Sequence, residues 1–125
     1  MAKNKTILIV EDESTLNEAY QVVLAKAGYD ILSAFDGKEA LDITAGNHID
    51  LILLDLRMPV MDGIEFLRDF QPADKDVKVI VFSNYDMQKE IEEAYDLGAD
   101  KYVLKAWASP KELLQLVKDM LEESK

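Results

Sequence analysis

The chain contains no cysteine, which excludes a disulfide framework and any thiolate metal centre. That composition suits a reducing compartment, and a cytoplasmic protein is expected. His48 is the sole histidine, so a transition-metal site built on imidazole is not expected; its place just before an apolar run reads as a loop. Positive charge is scarce, with 14 basic against 25 acidic residues, a formal net charge of −11 and an isoelectric point near 4.4. Such a surface repels nucleic acid and anionic lipid, so no direct binding to DNA or to a membrane is expected. Long hydrophobic runs are missing too. Nothing approaches membrane-spanning length, and the apolar stretch after MAKNK is too short for a signal peptide.

What is present is enough for one core. With 125 residues, 49% of them hydrophobic, a single domain over residues 1–125 is expected. Five short aliphatic runs recur, TILIV at 6–10, DILSA at 30–34, DLILL at 50–54, KVIVF at 78–82 and KYVLK at 101–105. Four are too continuously apolar for a half-exposed sheet, which points to parallel strands covered on both faces. Between them lie helical spacings, as in Leu16, Ala19, Tyr20, Val23 and Ala27, and again in Leu113, Leu116, Val117, Met120 and Leu121. Gly28, Gly46 and Gly98 each follow a helical stretch where a left-handed cap is expected. Ser109-Pro110-Lys111-Glu112 reads as a capping box with proline at the first helical position. The expected fold class is therefore α/β, a (βα)5 doubly wound five-stranded parallel sheet, whose functional residues lie outside the carboxyl ends of its strands.

Residues 7–13, ILIVEDE, pose the functional question, because the most hydrophobic run ends abruptly in three acids. A parallel sheet brings all strand ends to one edge. There Glu11 and Asp12 would meet Asp55 from the third strand, Ser83 from the fourth and Lys105 from the fifth. Carboxylates crowded in this way either raise a pKa or bind a cation. Mg²⁺ is the natural candidate, since it takes oxygen ligands and usually one or two carboxylates, which fits Asp12 and Asp55 with Glu11 nearby. Lys105 adds a point-like phosphate binder. Metal, lysine and hydroxyl around one carboxylate describe a phosphoryl-transfer site with Asp55 as nucleophile.

ILIVEDE, LILLDLRMPVMDG, VIVFS and GADKYVLK stand here in the order and spacing of the receiver domains of bacterial two-component response regulators, and the chain resembles that family from about residue 4 to residue 123. The resemblance implies a flavodoxin-like strand order of 2-1-3-4-5 and a phosphoprotein rather than an enzyme with a separate substrate, one that catalyses only its own phosphorylation and dephosphorylation. Asp55 would accept a phosphoryl group from a phosphohistidine of a sensor histidine kinase. Asp12 would bind Mg²⁺ directly, Glu11 through a metal-bound water, and the backbone carbonyl of Arg57 would complete the protein ligands. Ser83 would hydrogen-bond one phosphoryl oxygen and Lys105 would pair with another. Tyr102 matches an aromatic that turns inward as the hydroxyl residue moves, remodelling the face of the fourth helix, fifth strand and fifth helix that partners read. Those partners would be a downstream protein target or a fused output domain, and a phosphorylation-dependent homodimer fits the same scheme.

The chain departs from the family after its lysine, where Ala106 replaces the usual proline. A cis bond before a non-proline residue costs about 3 kcal/mol, so the Lys105-Ala106 peptide is expected to be trans. Asn84 takes a place generally held by a small residue. Arg57 and Tyr85, each two residues beyond a functional position, flank in this family the path of water to an aspartyl phosphate; Tyr85 is expected to screen the phosphorus and Arg57 to hold a phosphoryl oxygen, the alternative being that both point into solvent. Pro59 and Gly63 are expected to shape the loop after Asp55, and Trp107 to be a packing or surface aromatic. Of the rival functions, a flavin protein needs a phosphate cradle that EDEST would repel. An aspartyl phosphatase commonly needs a second Asp where Arg57 stands. A phosphorylation-independent pseudo-receiver, an interaction module of the same fold, usually lacks an acid or the phosphoacceptor, and none is lost here.

Overall fold

A computed structural model describes residues 4–84 and 87–122, apart from the side chain of Trp107. Strands and helices alternate along it as β1 (Thr6–Val10), α1 (Ser14–Lys26), β2 (Asp30–Ala34), α2 (Gly37–Gly46), β3 (Leu51–Leu54), α3 (Gly63–Phe70), β4 (Lys78–Ser83), α4 (Gln88–Asp96), β5 (Lys101–Leu104) and α5 (Pro110–Glu122). All strand pairs are parallel and their order is β2-β1-β3-β4-β5. Five helices cover this sheet, as the expected fold class requires.

The apolar runs are continuous because alternate residues serve opposite faces. Leu8, Val10, Ile52, Leu54, Val79 and Val81 pack with Ala40, Phe66, Leu67 and Ala94 from α2, α3 and α4. Ile7, Ile9, Leu51, Leu53, Ile80 and Phe82 pack with Tyr20, Leu24, Leu113 and Val117 from α1 and α5. Burial is complete for β3 and for all but the first residue of β1 and of β4, one strand fewer than expected. The edge strands β2 and β5 have a single neighbour each and keep partly exposed positions.

Strand boundaries shift slightly for polar reasons. Ser83 joins β4, Lys105 leaves β5, and Asp50, expected in the third strand, stands just ahead of β3 as a bracket, as Asp100 does ahead of β5. Asp50 Oδ2 accepts from the backbone N–H of Thr6 at 2.8 Å, and Asp100 Oδ2 accepts from that of Val79 at 2.8 Å. Gly28 and Gly98 take left-handed φ values of 100° and 112°, as expected for caps. Gly46 does not, being the last helical residue of α2 before an extended Asn47, whose side-chain amide donates to the carbonyl of Ile43. The capping box at α5 is present, with Ser109 Oγ accepting from Glu112 N at 3.2 Å and Glu112 Oε1 accepting from Ser109 N at 3.1 Å.

Candidate functional site

Parallel register delivers the expected residues to one edge. Val10 pairs with both Ala34 and Leu54, so Glu11 and Asp55 leave adjacent strands side by side. Ser83 closes β4 opposite Leu104, and Lys105 follows. One carboxylate oxygen each from Glu11, Asp12 and Asp55 lies within 4.8 Å of the others. Glu11, Asp55 and Ser83 are buried and Asp12 is exposed, which leaves the cluster one open side.

Lys105 enters this cluster from the short 3-10 turn Lys105–Trp107. Its ammonium is 2.5 Å from Glu11 Oε1 and 3.3 Å from Asp55 Oδ2. Backbone N–H groups take further lone pairs, with Glu13 N donating to Glu11 Oε2 at 3.1 Å and Arg57 N to Asp55 Oδ1 at 3.4 Å. Burial pushes the Glu11 and Asp55 carboxyls above the usual carboxylate range, and the nearby Lys105 offsets only part of this. Burial also opposes the Lys105 ammonium, but its bond to Glu11 and the charge of Asp55 outweigh that and raise its pKa. An acidic pocket with a built-in ammonium and oxygen-only donors fits a hard divalent cation held by Glu11, Asp12 and Asp55.

Beyond Asp55 the loop is tightly constrained. Gly63 N donates to Leu56 O at 2.9 Å, and a Cβ on Gly63 would lie 2.5 Å from the carbonyl oxygen of Asp55. Close approach, rather than the unusual backbone angle expected, is therefore what requires glycine there. The unusual angle belongs to Val60, at φ 69°, in a tight turn where Met61 N donates to Pro59 O at 2.7 Å. That is a strained turn for a β-branched residue, and the Val60 side chain is 77% exposed.

Other expected residues fall as follows. The Lys105-Ala106 peptide is trans. Tyr102 is half-buried on β5 and packs against the core beneath α2, α3 and α4. The guanidinium of Arg57 pairs with Glu90 on α4. His48 is exposed in the loop before β3, its Nε2 3.0 Å from Asp50 Oδ1. Asn84 is exposed. Tyr85 and the Trp107 side chain lie outside the described residues.

Sequence reasoning missed Asn17. Wholly buried, it donates through Nδ2 to the carbonyls of Glu11 at 3.0 Å and Ala34 at 3.3 Å, and its Oδ1 accepts from Gln21 Nε2 at 2.7 Å. It thereby clamps the acidic loop after β1 to the end of β2. The available signal was a polar residue on the apolar stripe Asn17, Tyr20, Leu24. Tyr20, next on that stripe, meets Phe82 edge-on at 5.0 Å. Burial, with the charges of Glu11, Asp55 and Glu13, pushes its hydroxyl up to about 12.

Among the described residues no helix is long and apolar enough to cross a membrane. Residues 7–118 match the family described as the response regulator receiver domain. The chain is 38% identical over 96 residues to sporulation initiation phosphotransferase F of Bacillus subtilis, a match covering 77% of each protein. It is 35% identical over 121 residues to the alkaline phosphatase synthesis transcriptional regulatory protein PhoP of the same organism, covering 97% of this chain and 50% of that protein. The chain thus spans about half the length of such relatives. In structure it resembles a CheY-like response regulator receiver domain protein from Methanospirillum hungatei, with a TM-score of 0.91, 28% identity and coverage of 97% and 96%. Fold and sequence agree, and this chain belongs to the response regulator receiver domain family.

Proposed function

We propose that the chain is a phosphoacceptor receiver in which Asp55 takes a phosphoryl group from a phosphohistidine of a sensor histidine kinase. The observation that carries this reading is the convergence of Glu11, Asp12, Asp55 and the Lys105 ammonium in one pocket at the sheet edge. An Asp55 carboxylate oxygen forms the new bond to phosphorus as the bond from phosphorus to the imidazole nitrogen breaks, and the imidazole leaves with the electron pair. Lys105, already 3.3 Å from Asp55 Oδ2, balances charge gathering on the phosphoryl oxygens. Ser83 donates its hydroxyl to another of those oxygens. Mg²⁺, held by Asp12, Asp55 and the Arg57 carbonyl with Glu11 acting through water, would supply electrostatic stabilisation of the transferring group.

Phosphorylation then moves Ser83 and draws Tyr102 inward, changing the face of α4, β5 and α5 that is offered to a target protein, an output domain or a second phosphorylated copy. The protein works as a cytoplasmic switch and turns over no separate substrate. Intact-mass spectrometry after incubation with acetyl phosphate tests the reading. One added phosphoryl group is expected, dependent on Mg²⁺, lost in Asp55→Asn and strongly reduced in Asp12→Ala and Lys105→Ala. Equal labelling of Asp55→Asn and wild type would refute the assignment, and no labelling at all would favour the pseudo-receiver.

A further inference from the structure

Two ion pairs tie α3 and the loop before it to α4. Arg57 pairs with Glu90, and one helical turn further along, Arg68 pairs with Glu93. Both bridge an open cleft floored by Leu56 and Ile64. The two are not equivalent. Arg68 lies within α3, away from the acidic pocket, whereas the backbone N–H of Arg57 already donates to Asp55 Oδ1. The Arg57 side chain is half-exposed and long, so it can turn from α4 toward the sheet edge, while Glu90 keeps only a quarter of its side-chain surface exposed.

We propose that Glu90 is a positioning residue that holds Arg57 on α4 and competes for it with a phosphoryl group on Asp55. Resting on the phosphoacceptor reading above, the competition follows from charge. A carboxylate on α4 and a dianionic group on Asp55 both seek the same guanidinium, and charge-assisted bonds to phosphate oxygens are strong. An exposed ion pair is weak enough to be exchanged. When Arg57 turns to the phosphoryl oxygens, α4 loses the ion pair that Glu90 makes with the loop after β3, while the pair of Arg68 with Glu93, between α3 and α4, remains. Arg57 so placed also crowds the approach of water. Loss of the phosphoryl group occurs when a water oxygen bonds to phosphorus, the bond from phosphorus to the Asp55 oxygen breaks, and inorganic phosphate and a proton leave. Glu90 therefore shortens the life of the phosphorylated state by keeping Arg57 away from it.

The test phosphorylates wild type, Glu90→Gln, Arg57→Ala and the double variant with acetyl phosphate, removes the donor and follows decay of the phosphorylated mass in excess Mg²⁺. Glu90→Gln should decay more slowly than wild type, by about twofold to fivefold, the range an exposed ion pair can supply. Arg57→Ala should decay faster than wild type, and adding Glu90→Gln to it should change nothing further. Glu93→Gln, which breaks the other tie, should decay like wild type. Decay of Glu90→Gln at or above the wild-type rate would overturn the proposal. So would equal slowing with and without Arg57, because it would mean that Glu90 acts through helix packing alone. Failure of every variant to accept a phosphoryl group would instead overturn the phosphoacceptor reading itself, and the competition with it.

Discussion

Single residues carry unequal burdens around the pocket. Asp55 is buried with a raised pKa beside Glu11, so the folded state holds two carboxyls where ionisation is disfavoured. Replacing Asp55 by asparagine keeps the shape and removes one crowded charge. Asp55→Asn is expected to melt at a higher temperature than wild type in EDTA, as thermal unfolding at neutral pH would register. Val60 is a different burden. A β-branched residue at φ 69° gives up about 1–3 kcal/mol of backbone strain, and its exposed side chain recovers little of it. Less the cost of about 0.4–1 kcal/mol for the freer unfolded glycine chain, Val60→Gly should stabilise the protein by about 1 kcal/mol in urea unfolding, and no gain would mean that the strain does not exceed that cost. Tyr20 offers a direct readout of its surroundings. Its phenol should ionise near about 12 in an ultraviolet titration, and Tyr20→Phe should delete that late transition.

At the scale of elements, α3 joins the chemistry to the core. Gly63 sets its first turn against the Asp55 and Leu56 backbone, the Asp62 and Glu65 pair closes a capping box, and Phe66 stacks on Phe70 at 5.1 Å beneath the sheet. Phe66 is wholly buried, so Phe66→Ala should cost about 3–5 kcal/mol in denaturant unfolding. Elements were also the scale most legible in the sequence. Apolar runs located the strands within a residue, the Ser109 capping box the start of α5, and the two left-handed glycines the ends of α1 and α4 within two residues. The end of α3 was overlooked: it stops at a left-handed Gln71 whose N–H donates to Leu67 O, and the local signal for that stop is Pro72, which disfavours helix at the residue before it. The pocket residues were legible because strand ends must converge in a parallel sheet. The pairing of Glu90 and Glu93 was not, since their partners lie on segments that only the folded chain brings near, and Asn17 showed only as a polar residue on an apolar stripe, with no sign of what it binds.

For the molecule as a whole, pH dependence follows from the pocket and has one sign. Glu11 and Asp55 have folded pKa values raised above those of the unfolded chain. The stability they contribute is fully present below the ordinary carboxylate range and is lost as pH rises through the raised values. Lys105, also raised, adds a contribution that is lost only at strongly alkaline pH. Metal-depleted protein should therefore lose thermal stability between mildly acidic and neutral pH, and Asp55→Asn should flatten that decline. Added Mg²⁺ should restore stability on the neutral side by binding the folded state. A profile that rises over this interval without metal would contradict the crowding.

The brackets formed by Asp50 and Asp100 give the sheet a built-in direction. Each pins the start of one strand to the backbone of its neighbour, Thr6 and Val79 respectively, and both lie at the end remote from the acidic pocket. At the end opposite its chemistry the sheet is thus pinned by carboxylates on backbone N–H groups, whereas at the pocket end Asn17 holds only the ends of β1 and β2. A displacement at the pocket end is expected to fade toward these pins, so that the loops after the strands take up more of it than the strand starts. Amide exchange should map that stiffness, slow around Thr6 and Val79 and quickening toward the strand tips.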